Sequence, residues 1–134
     1  MTINEKHKRY YNWLNQVKED IIDPNLPIID PHHHLWHGDN QLAGSFPYLM
    51  EQLSEDTNSG HNIIGTIFME CAQGYYLNDD EKYKPVGETE FVINIIEESK
   101  NISGPTNILG IISFADLMLG SEVKDVLDKH IITG

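Results

Sequence analysis

Three apolar runs of strand length, each closed by a polar residue, limit this chain to few architectures. The first runs through Ile28-Ile29-Asp30-Pro31 into His32-His33-His34. The second is Ile63–Met69, followed by Glu70, and the third covers 108–115, followed by Asp116. The second is apolar without alternation, which predicts a strand buried on both faces, as in a parallel sheet covered by helices. Helical spacing fills the gaps. Phe91, Val92, Ile95 and Ile96 form one stripe over 88–100, with Glu88 and Glu90 at its positive end and Gly104-Pro105 as its stop. Val123, Val126, Leu127 and Ile131 form another, with Ser121 as its cap. A shorter helix is expected over 46–54, with Pro47 near its start.

The pattern is therefore strand and helix in alternation, with a polar side chain at the C-terminal end of every strand. That is the layout of a (β/α)8 barrel, whose active sites sit on that face. Strands begin every 35 to 45 residues or so, slightly more than the ~30 per unit of a 250-residue barrel. The 134 residues thus supply about three of eight units, an α/β arc of a TIM barrel in one domain. Residues 1–24 precede it as a helical extension, a lid or floor. Its helix is expected over 4–21 from the spacing of Tyr10, Trp13, Leu14, Val17 and Ile21, with Pro24 ending it. A polar loop over 37–45, a turn over 58–62 and a long loop over 72–86 complete the reading.

Strand alternation puts Asp30, His32 and His34 on one face and His33 on the other. Two imidazoles on one face can grip one divalent ion together, and imidazole suits zinc well. His33 reads as a core histidine. Glu70, Asp116 and Tyr75 of the long loop are the remaining site candidates, because they stand at or beyond the strand ends.

Nine basic side chains against twenty-one acidic ones leave a net charge of -12. A nucleic-acid binder needs a basic face, and an anionic membrane repels such a chain, so neither partner is expected. No apolar run approaches the ~20 residues of a membrane span. Cys71 is a lone cysteine, which fits a reducing cytoplasm. A soluble cytoplasmic protein acting on a small molecule is the expectation.

Four stretches, PIIDPHHHLW (27–36), TIFMEC (66–71), PVGETEFV (85–92) and GIISFADLML (110–119), resemble the amidohydrolase-related family of the lactonase type. These are metal-dependent-hydrolase TIM barrels. The likeness covers nearly the whole chain from about Trp13 onward. It implies hydrolysis of a lactone or similar cyclic ester, with His32 and His34 as ligands of a divalent metal, zinc in most metal-using members. The family's general-base aspartate follows the last barrel strand and has no counterpart in these 134 residues. A chain of this extent is then expected to be inactive alone and to pair with the rest of a barrel or with copies of itself. Two other readings stand beside it. One is a non-catalytic remnant or oligomerising fragment. The other is a TatD-like or phosphoesterase-type metal hydrolase, which shares only the first motif.

Overall fold

The computed structural model describes residues 3–38, 47–100 and 107–134, with side chains in the first helix from Lys8 onward. In order come α1 (Ile3–Leu14), β1 (Ile28–His33), α2 (Met50–Thr57), β2 (Ile63–Met69), α3 (Val86–Ser99), β3 (Ile108–Ile112) and α4 (Val123–Thr133). The strands form one parallel sheet in the order β1-β2-β3. Parallel neighbours need a crossover, and a helix supplies each one. The fold is thus mixed α/β, as expected. None of the described helices is long and apolar enough to cross a membrane.

The core lies on one side of the sheet. Phe68 of β2 is fully buried there with Leu35, Met50 and Leu53 of the first crossover and Val92 and Ile95 of α3. Ile108 and Ile111 of β3 pack on the same cluster. α4 leans on α3 through the fully buried Val126 and through its His130. The opposite face is different. Ile29 of β1 and Ile112 of β3 are 48% and 47% exposed there, while Ile67 and Met69 of β2 between them are half-buried, so the burial on both faces expected of β2 is partial. Among the described residues, the core helices α2 and α3 lie on one side of the sheet.

Element ends differ from expectation where packing or proline chemistry overrides periodicity. α1 stops at Leu14, not near residue 21; none of its described side chains is buried, so no packed face carries it further. The helix expected over 46–54 is Met50–Thr57. Pro47 and Tyr48 are not helical, and Tyr48 exchanges both backbone hydrogen bonds with Trp36 at 2.9 Å while their rings stack at 5.2 Å. Phe46, most of the 37–45 loop and the Gly104-Pro105 stop lie outside the described residues. β3 ends at Ile112, three residues early. Ser121 does not cap α4, which follows a 3₁₀ helix over Leu117–Glu122. Asp116 caps that turn instead, accepting from the Met118 N–H at 2.8 Å.

Candidate functional site

The ladder between β1 and β2 is irregular where the histidines stand. Asp30 pairs with Thr66 and His33 with Phe68, so three steps on β1 oppose two on β2. Pro31 has no N–H to give a ladder, which is why the irregularity falls there. The extra residue breaks the alternation, and Asp30 does not share a register face with the histidine pair. Its Oδ1 accepts from the His32 backbone N–H at 3.1 Å and shapes the bend.

Beyond that bend, His32 and His34 turn their Nε2 atoms toward each other, 3.2 Å apart, with the rings edge to face. The Nδ1–H of His34 donates to the carbonyl of Met69 at 2.7 Å. A carbonyl only accepts, so this bond fixes the proton on Nδ1 of the neutral ring, and the Nε2 lone pair accepts the Nε2–H of His32. Metal-binding imidazoles are held in this way by carbonyls behind them. Two nitrogens at about 2.0–2.1 Å from a tetrahedral ion stand about 3.3 Å apart, so the observed separation fits one shared ion. No group of three His, Cys, Asp or Glu among the described residues could hold a metal.

His33 takes the other face, as expected. Its Nε2 bonds the buried Thr66 hydroxyl at 3.0 Å, its ring meets Phe68 edge-on, and burial depresses its pKa. His130 belongs to the scaffold too. Its Nε2–H donates to the Phe114 carbonyl at 3.0 Å, so the Thr89 hydroxyl donates to its Nδ1 at 2.8 Å.

Of the other candidates, Tyr75 and Asp116 come together. Both line a cavity of about 470 Å³ between the loops that follow β2 and β3, with Lys82, Lys84, Phe114 and Glu122. Burial, with Glu88 and Glu70 nearby, pushes the Tyr75 phenol up to about 12. Lys82 is tied to Glu122 at 2.8 Å. Glu70 donates its backbone N–H to Ile112 at 2.9 Å and does not line the cavity. Neither do His32 and His34, which stand at the same end of the sheet one strand away.

Glu88 is the residue that sequence reasoning missed. Read only as a first-turn acid matching the helix dipole, it is buried at the third position of α3, with 1% exposure. Its Oε1 accepts from the N–H groups of Cys71 and Gln73 at 2.9 and 2.7 Å, across Ala72, whose φ is +60°. Left-handed backbone at a non-glycine residue is costly unless its surroundings hold it, and here the carboxyl does so. Glu88 thereby fixes the segment between Glu70 and Tyr75. The signal available was the Pro-x-Gly-Glu order at a helix start after a long loop, which is suggestive only once burial is known.

Burial raises the Glu88 pKa against the pull of its two backbone donors, and Oε2 has no hydrogen-bond partner among the described residues. An acid raised on folding contributes its full share below its unfolded pKa, about 4.3. As pH climbs from there through the folded value, the unfolded chain sheds the proton first and the folded state loses ground. Glu88→Gln keeps the Oε1 acceptor but cannot ionise. Its melting temperature relative to the parent is therefore expected to improve steadily from pH 4 to pH 8. A variant that loses ground over that range would show that the donors and the helix dipole outweigh burial.

No family model, curated protein or solved structure matches this chain.

Proposed function

We propose that the chain forms the first three βα units of an amidohydrolase-type barrel, in which His32 and His34 hold a divalent ion, zinc by ligand type, for hydrolysis of a lactone or similar cyclic ester. The observation that carries this reading is the facing Nε2 pair, with the His34 ring locked from behind by Met69. A bound ion would supply Lewis acidity to the ester carbonyl and lower the pKa of water beside it. The chain's own residues supply the positioning and the protons. In its neutral ring His34 can turn its Nε2 lone pair to an ion, because the carbonyl holds the proton at Nδ1. Tyr75 keeps its phenolic proton at neutral pH and can donate to a substrate oxygen. Asp116 and Tyr75 line the neighbouring cavity, large enough for a small ring. The lactone itself is inferred from the four resembling stretches.

Two protein ligands are one fewer than catalytic zinc sites usually have. Uptake is therefore expected to be measurable but weaker than at a complete site. Zinc titration of the metal-free chain, read by calorimetry, should show one ion per chain. The double variant His32→Ala/His34→Ala should bind at least a hundredfold more weakly. Equal uptake by both proteins would remove the ligand assignment. Hydrolysis of a phosphodiester in place of a lactone would shift the reading to the phosphoesterase type.

A further inference from the structure

We propose that α1 is a docking arm for a second copy of this chain, laying its aromatic stripe into the apolar groove between α3, β3 and α4 of that copy. The inference is independent of the metal site. It starts from an uneven charge distribution. Residues 1–18 hold four of the nine Lys and Arg (Lys6, Lys8, Arg9, Lys18) and one of the twenty-one acids (Glu5), a net +3. The other five bases and twenty acids leave residues 19–134 at -15. A basic segment on so acidic a body is attracted to any exposed face of another copy.

The shapes agree with the charges. Tyr10, Trp13 and Leu14 of α1 follow the i, i+3, i+4 spacing of helices that bind in grooves. Each is between 43% and 64% exposed, and every described side chain from Lys8 to Asp20 is exposed. Apolar surface of that kind on a helix marks an interaction site. The groove is a cavity of about 570 Å³ lined by Ile93, Ile96, Leu109, Ile111, Leu127 and Ile131. Ile131 itself is 77% exposed.

The occupant is favoured to come from another molecule. The tether after α1 is fixed on the β1 side of the sheet: the Ile21 side chain crowds Gly60, the Asn62 amide donates to Asn25, and Ile28 donates to Asn62. The groove lies at the opposite edge, beyond β3. One molecule thus carries an arm and a groove on opposite edges. Two molecules exchanging arms satisfy both, with the two-fold symmetry usual for dimers. An anionic membrane could attract the arm but repels the strongly acidic body behind it.

Sedimentation equilibrium of the full chain at low and high salt tests this. A dimer is expected, at least tenfold weaker in high salt. Trp13→Ala removes the arm's anchor, and Ile131→Asp spoils the groove. Both sites are exposed, so the fold is retained, as circular dichroism can verify. Each variant should raise the dimer Kd at least tenfold. A mixture of the two should associate more tightly than either alone, because it restores one intact arm in one intact groove. A monomer under all conditions would overturn the proposal. So would a dimer indifferent to both substitutions, or a Trp13 emission shift with phosphatidylserine vesicles but none on self-association.

Discussion

Phe68→Ala is expected to lower the thermal midpoint by on the order of 10 to 20 °C. The residue is fully buried near the C-terminal end of β2, the central strand of the described sheet. It touches the core from both crossovers and meets the His33 ring edge-on at 5.9 Å. Truncating a buried phenylalanine costs about 3–5 kcal/mol, from lost transfer energy and the cavity left behind. Native stability is typically about 5–15 kcal/mol, so this is a large fraction of the whole. Each kcal/mol moves the midpoint of a chain this size by roughly 3 to 5 °C. Ile112→Ala serves as the contrast. That side chain is about half exposed on the uncovered face and should cost under about 1 kcal/mol. Denaturant unfolding of the two variants checks both numbers. Equal losses would mean that helices cover the other face of the sheet as well.

Gly87→Ala sets two effects against each other, and their sizes decide the sign. Gly87 lies in the first turn of α3, where helix propensity favours alanine by up to about 1 kcal/mol. A Cβ there would stand 2.5 Å from the Gly74 carbonyl oxygen and 2.7 Å from the Tyr76 nitrogen. Both are backbone atoms, and the Tyr76 N–H is already bonded to Lys84 at 3.1 Å, so neither can turn aside cheaply. Relief needs the whole 74–76 segment to move off α3. Overpacking of this kind costs about 1–3 kcal/mol, more than propensity returns. The variant should therefore be less stable than the parent, by about 1–2 kcal/mol. Tyr75 should be displaced with its loop, which a change in tyrosine chemical shifts would report. A stabilised variant would show that the loop does not approach the helix so closely.

These two positions also show what can be read from the residues alone. Phe68 is legible because β2 is an unbroken apolar run between turn signals, and such runs are strands wherever helices can cover them. α3 is legible for the same reason, through the stripe of Phe91, Val92, Ile95 and Ile96. Gly87 and Glu88 are not. A glycine and an acid at a helix start are commonplace, and only the returning loop gives them their work. α1 shows the reverse error. Its spacing continues to Ile21, but no packed face carries the helix that far. Strict alternation assigns Asp30 to the histidines' face, yet Pro31 announces a break in the ladder. The His32/His34 pair survives that error because the break falls before both of them.

The bond from His34 to the Met69 carbonyl joins the ring just beyond β1 to the backbone of β2. The aim of the imidazole and the cohesion of the two strands are therefore a single mechanical coordinate. Loop fraying can leave that coordinate untouched, whereas any slip of one strand along the other must swing the ring. The set of the His34 ring and the integrity of the sheet's first seam are lost together or kept together.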